Sequence, residues 1–303
     1  MPIQIRPFRR DDRDQLTELV NAHVRAVVPG VTVSTNRILG QLEREPGEFI
    51  VDPWVEARHT LVAEQRGRIS AAAHLLIYRA DADVADSYRG LGEIRWLVCW
   101  PDAPFWPDAE EAGRQLCRTA VQVLRQAGAS RIAADGALPA PGVYGIPEQW
   151  PHIGTLLREA GFAPGATSET VLLADLADVP LLDPPLPGIE VRRTLGAAGT
   201  RLTAHLGEDV LGHVEVEVRS GDTGLTAGHA GLADIGNLWV AETHRRRGIG
   251  RWLLGHAAAW LRLGHVDRLL HYVDACDADG LAFATAAGFT PLTRTTRRWL
   301  LGR

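Results

Sequence analysis

Two stretches of this chain run through the same order of elements, and each stops its last helix with the same three residues, Ala160-Gly161-Phe162 and Ala287-Gly288-Phe289. An internal repeat constrains a fold more than local propensity does, because each copy must build a comparable core. In the first copy IQIRPF alternates as a strand, and helical spacing follows from Asp11 to about Val28 and from Asn36 to Arg44. HTLVAEQRGRISAAAHLLIY reads as strand–turn–strand and GEIRWLVCW as a further strand. Ala109 to Ala127 carries Leu116, Ala120, Val123 and Leu124 at helical spacing, SRIAADG is a short strand, WPHIGTLLREAGF a helix, and ETVLLADL the strand expected to close the copy.

The proline-rich PLLDPPLPG then breaks the pattern and reads as a linker. The second copy follows as IEVRRTL, the hairpin RLTAHLGEDVLGHVEVEV, the strand LADIGNLWV, the turn and helix RRRGIGRWLLGHAAAWLRLG, the strand VDRLLHYVD, the helix GLAFATAAGF and the strand RTTRRWLL. Connection length distinguishes the copies: about fifty residues separate opening strand and hairpin in the first, and about five in the second. The second copy therefore lacks the two early helices. The chain's 303 residues, 46% hydrophobic, suffice for two cores. The expected division is residues 1–178, a linker at 179–187, and residues 188–303. Each half is expected to be a mixed α/β (α+β) domain, a twisted, mostly antiparallel sheet flanked by helices.

The local pattern that carries chemistry is AETHRRRGIGRWLL. A strand ends near Val240, an arginine-rich turn follows, and Gly248 and Gly250 open a helix whose buried face is Leu253, Leu254, Ala257, Ala258 and Leu261. Main-chain N–H groups at a helix start, left accessible by glycine, cradle anions, and the helix dipole adds about 0.3–1 kcal/mol. Arg245, Arg246, Arg247 and Arg251 add positive potential suited to phosphate oxygens. The chain has no lysine, so apart from histidine every basic side chain is arginine.

Set between a hairpin and strand on one side and a strand and Gly-Phe-ended helix on the other, this turn resembles the acyl-CoA motif of the GNAT (Gcn5-related N-acetyltransferase) superfamily. Arg245, Gly248 and Gly250 match that motif, and Asp277 to Phe289 match the helix that follows it. The likeness covers residues 188–303 well and residues 1–175 by element order only. It implies an acyl-CoA-dependent N-acyltransferase, with acetyl-CoA or another short acyl-CoA as co-substrate and a small-molecule primary amine as acceptor attacking the thioester directly. It further implies that Leu238, Trp239 and Val240 lie on the strand beside the pantetheine arm, and that Arg245, Arg246, Arg247, Gly248, Ile249, Gly250 and Arg251 wrap the pyrophosphate, with Asp277 at the coenzyme site. Asp234 falls where several members place a glutamate base and reads as a base acting through water, or as a solvated strand carboxylate. The tyrosine acid of the family is replaced by Ala284, and its asparagine by Asp277. A CoA-binding sensor or scaffold without turnover is the alternative function.

His213, Glu215 and Glu217 alternate on one strand face, read as solvent or substrate cleft, with Glu215 a candidate acceptor ligand. Cys276 reads as a buried thiol. At the turn matching Arg245–Arg251 the first copy has WPDAPFWPDAEEAGRQL, with Asp108, Glu110 and Glu111 at the helix start, which would repel a pyrophosphate. That half is read as a degenerate coenzyme domain, organised like the decayed half of mycothiol synthase. It keeps Glu93, Trp96, Trp100, Trp106 and Trp150, of which Glu93 and Trp96 are candidates for contacting the acceptor.

A net charge of −5 argues against nucleic acid as partner. With no long apolar run and no secretory leader, a membrane partner is not expected either. The three scattered cysteines fit a reducing cytoplasm and, with no histidine pair at ligand spacing, no metal is expected. The expected oligomer is a monomer or homodimer.

Overall fold

A computed structural model describes residues 2–45, 51–101, 108–197, 199–218 and 231–302. The first part of the chain forms β1 (Gln4–Pro7), α1 (Arg13–Val27), α2 (Thr35–Glu43), β2 (Val55–Gln65), β3 (Arg68–Tyr78), β4 (Leu91–Cys99), α3 (Ala109–Gln126), β5 (Arg131–Ala134), β6 (Ile146–Pro147), α4 (Pro151–Glu159), β7 (Phe162–Ala163) and β8 (Ser168–Asp175). The second part forms β9 (Ile189–Leu195), β10 (Thr200–Leu206), β11 (Asp209–Val218), β12 (Gly231–Val240), α5 (Ile249–Leu263), β13 (Val266–Asp274), α6 (Ala278–Ala286), β14 (Thr290–Thr296) and β15 (Trp299–Leu301).

Two compact units result, and their boundary departs from the division expected at residues 179–187: one unit is Met1–Glu169 with Thr293–Arg303, the other Thr170–Leu292. In the first, the sheet order is β1-β2-β3-β4-β5-β15-β7. The last strand of the second copy thus completes the first sheet, with Trp299 opposite Ala134 and Leu301 opposite Phe162. In the second unit the order runs β14-β8-β13-β12-β11-β10-β9. The strand ETVLLADL therefore closes the later sheet rather than its own. Strand periodicity reports a buried face but not which sheet edge receives the strand, and two copies of one fold offer equivalent edges.

In the first unit, β3 and β4 are buried along nearly their whole length. Their near-continuous apolar runs match strands covered on both faces, and α1 and α3 both pack on them. The helix starts are locally specified: Ser34 Oγ accepts the Arg37 N–H at α2, and Asp12 joins Arg6 in a buried ion pair at 2.7 Å before α1. Trp299 is buried in this unit, so truncating its ring to alanine costs roughly 3–5 kcal/mol.

In the second unit, four residues separate β9 from β10, as the short connection predicts, and no α-helix lies between them among the described residues. Leu253, Leu254, Ala257, Ala258 and Leu261 of α5 lie at 0–1% exposure against Val214, Val216, Ala233 and Leu269. Residues 179–187, expected as a linker, run along this core and dock on it through a few side chains. Val179 is buried, Leu182 and Leu186 pack against the cluster, and Gly255 of α5 lies so close that a Cβ there would stand 2.5 Å from the Pro180 carbonyl oxygen. Prolines here fix a docked path instead of marking a free connection.

Candidate functional site

The second unit's sheet opens at its middle. β12 pairs with β11 to its end, Gly212 opposite Val240, whereas its parallel pairing with β13 stops at Asp234 opposite Leu270. β13 nevertheless continues to Asp274. Residues Ile235 to Val240, including Leu238, Trp239 and Val240, therefore have one edge with no strand partner among the described residues. Backbone amides along such an edge remain to be satisfied. The fork begins beside a β-bulge: Glu215 faces Asn237 and Val216 faces Ile235, leaving Gly236 as the extra residue. At the far end Trp239 is 41% exposed and its indole lies 5.6 Å from the His213 ring across the strand pair.

The chain then turns into α5. Arg245 Nε donates to the Val240 carbonyl at 3.2 Å, tying the turn to the strand end. Arg246 has φ +61° and Gly248 φ +85°, both left-handed, and Gly248 is the N-cap. Trp252 N donates to Gly248 O, so the N–H groups of Ile249, Gly250 and Arg251 precede the first intrahelical donor and are left without a helical acceptor. Arg245, Arg246, Arg247 and Arg251 are all exposed around these donors. The result is a positively charged helix start of the kind that holds phosphate oxygens. Gly250 has an additional reason to be glycine: a Cβ there would lie 3.0 Å from the Phe283 ring, so its absence lets α6 close against α5.

Asp277 caps α6, its carboxylate accepting the Gly280 N–H at 2.9 Å. Ala284 is fully buried in the core cluster. Cys276 is exposed rather than buried, because it lies in the turn before α6 with its N–H on Asp274 Oδ1 at 2.8 Å.

Asp234 is the last β12 residue paired with β13 and is 2% exposed, and its Oδ1 accepts the Tyr272 hydroxyl at 2.9 Å. Reading Asp234 as a solvated carboxylate is thereby excluded. Sequence reasoning passed over Tyr272, although one observation available there points to it: it is the lone tyrosine between residues 170 and 292. The structure adds that it follows by two residues the position opposite Asp234.

The bulges align the two sheets. In the first unit His74 faces Trp96 and Leu75 faces Ile94, leaving Arg95 as the extra residue. Glu93 thus occupies the place of Asp234, two residues before the bulge, in GEIRW against ADIGN. Glu93 is buried and accepts the Tyr78 hydroxyl at 2.7 Å, with Arg95 at 3.3 Å. Burial and the adjacent Glu93 charge hold the Tyr78 phenol above its ordinary range. Trp96 is fully buried, stacks on His74 and donates to Gln41 Oε1 at 3.0 Å. Glu215, expected on a solvent or cleft face, is 2% exposed and paired with Arg201 at 2.7 Å directly across from β10. The three acceptor-contact candidates Glu93, Trp96 and Glu215 are thus engaged inside the fold, where cross-strand register supplies each a partner. Trp100 and Trp150 donate to the carbonyls of Ile69 and His23. Trp106 lies outside the described residues.

At the start of α3, the counterpart of the arginine turn, Arg114 binds Glu110 and Glu111 and also reaches Glu159 at 2.9 Å. Carboxylates thus stand in the first turn of α3 where arginines surround the start of α5, and their charge disfavours an anion there. Among the described residues no group of His, Cys, Asp and Glu side chains is arranged to hold a metal, and no helix is long and apolar enough to cross a membrane.

Residues 178–289 match the acetyltransferase (GNAT) family. The whole chain superposes on a tandem GNAT protein from the clavulanic acid biosynthesis pathway, with TM-score 0.66 and 16% identity, covering 100% of this chain and 99% of that one. A GCN5-related N-acetyltransferase from Sphaerobacter thermophilus gives TM-score 0.63 at 14% identity over 98% and 95% of the two chains. A GCN5-related glucosamine N-acetyltransferase region of a fungal multi-domain β-N-acetylglucosaminidase gives 0.65 at 16%, over 98% of this chain and 38% of that one. No curated protein matches.

Proposed function

From a chain with the tandem GNAT fold, whose residues 178–289 form a GNAT-family domain, we propose an N-acyltransferase that moves an acyl group from acyl-CoA, acetyl-CoA in the first instance, to the primary amine of a small molecule. The observation that carries this reading is the junction of two unsatisfied surfaces in one unit. The open edge Ile235–Val240 leads directly into the arginine-lined start of α5. An extended arm bearing amides suits the first, and a diphosphate suits the second. The coenzyme supplies an activated thioester. Leu238, Trp239 and Val240 offer it main-chain partners, Arg245 to Arg251 hold the phosphates, and Asp277 contributes by fixing α6. Asp234 receives a proton from the attacking amine through a water.

The first unit serves without a coenzyme of its own, since its matching helix start carries carboxylates in its first turn in place of arginines. A small-molecule amine, a cytoplasmic setting and a monomer or homodimer complete the proposal, with neither nucleic acid nor membrane as partner. The test is calorimetric titration of acetyl-CoA into the wild type and into Arg246→Glu/Arg247→Glu, followed by thiol release with primary amines. One saturable site per chain, lost in the variant, supports the reading. No binding to the wild type overturns it, and binding without turnover on any amine favours a sensor.

A further inference from the structure

We propose that Tyr272 is the proton donor to the leaving thiolate and that Asp234 returns the proton to it, an inference resting on the transfer reading above. Two observations converge. First, the tyrosine position of the resembling motif is Ala284, buried and without a hydroxyl, while Tyr272 is the one phenol between residues 170 and 292. Second, Tyr272 lies on β13 just beyond the last pair with β12, and its hydroxyl contacts Asp234 at 2.9 Å. The five residue steps from Val240 back to Ile235 span about 17 Å, a length comparable with an extended pantetheine arm. Phosphates at Arg245–Arg251 therefore bring the thioester end to the level of the Asp234–Tyr272 pair. The first unit, which serves without a coenzyme, has a buried pair at the matching place from a different strand, Glu93 accepting Tyr78 of β3, so the test below separates a relay from a merely structural pair.

The proton balance closes on these two side chains. The amine nitrogen bonds to the thioester carbonyl carbon, and the C–S bond breaks with its electron pair on sulfur. The amine proton passes through water to the Asp234 carboxylate. The Tyr272 hydroxyl protonates the thiolate, and the resulting phenolate takes the proton from Asp234 along their existing hydrogen bond. The net transfer is one proton from nitrogen to sulfur, with both residues restored.

Tyr272→Phe keeps the ring and removes the hydroxyl. The assay uses the full chain, acetyl-CoA and a panel of histamine, tryptamine, glucosamine and spermidine, reading thiol release. The expected result is a kcat lower by about 10²-fold, within the range for a positioned general acid, with the acetyl-CoA Kd within about twofold of wild type. The solvent deuterium isotope effect on kcat changes as well, which loss of a packing contact alone would not produce. Asp234→Asn, which keeps shape and a hydrogen-bonding side chain, is expected to lower kcat comparably, and the double variant to be little worse than either single one. A wild type that turns over while Tyr272→Phe retains its rate and isotope effect overturns this assignment alone. A kcat loss matched by an equal loss of acetyl-CoA affinity overturns it as well. A wild type that binds acetyl-CoA and releases no thiol with any amine overturns the transfer reading and this assignment together.

Discussion

Gly255→Ala gives a test in which two physical effects oppose one another. In the middle of α5, alanine should gain about 1 kcal/mol over glycine from backbone entropy alone. The new Cβ, however, would stand 2.5 Å from the Pro180 carbonyl oxygen and 3.1 Å from Leu181 Cα, and both are backbone atoms that no rotamer change can move. Restoring an ordinary contact of 3.4 Å requires α5 or residues 180–181 to retreat by about 0.9 Å. A forced shift of that kind in a packed core costs about 1–3 kcal/mol, and Val179, Leu182 and Leu186 lose contact with the core as it occurs. We expect no gain and a net destabilisation of up to about 2 kcal/mol. Gly40→Ala is the control: it too is helical, nothing lies within 4 Å of its Cβ position, and it should stabilise by about 0.5–1 kcal/mol. Urea denaturation of the intact chain, followed by tryptophan fluorescence, measures both. A Gly255→Ala protein as stabilised as Gly40→Ala would refute the docking of residues 179–187 onto α5.

The cap of α6 gives a second prediction: Asp277→Ala should cost about 1 kcal/mol and Asp277→Asn only a few tenths, read from thermal unfolding. The third concerns acid. Burial lowers His74 to about 3 and His23 and His271 to about 4, so the folded chain leaves them neutral where the unfolded chain, near 6.5, is protonated. The unfolded state then binds more protons, and stability should fall as pH drops from 6.5 towards 4. His271→Leu should flatten that slope in urea titrations at pH 7.5 and 4.5, and an unchanged slope would count against a neutral buried imidazole.

The order of elements was legible because helix and strand periodicities are strong in GRWLLGHAAAWL and RISAAAHLLIY, and the buried face of α5 fell on the residues its spacing named. The glycine-opened start of α5 was legible as well, since Gly248 caps it with a φ of +85°. What was not legible involved partners remote in sequence. Tyr272 and Asp234 are thirty-eight residues apart and meet only because parallel register places β13 beside β12. The burial of Glu215 depends on Arg201 facing it across a hairpin, and alternation alone reads that face as wet. Prolines at 180, 184, 185 and 187 look like a spacer until the close approach of Pro180 to Gly255 is known.

The placement of β15 has a temporal consequence. Synthesis delivers residues 1–169 first, yet the edge of β5 receives its neighbour only when residues 299–301 have been made. The earlier unit must therefore wait, holding an unpaired strand edge, while residues 170–292 already carry the pieces of their own sheet. Birth order and completion order are reversed. A chain stopped near residue 297 would keep β14 and leave the later sheet intact but the earlier one without β15, exposing to proteases or to neighbouring chains a β edge that the finished protein conceals.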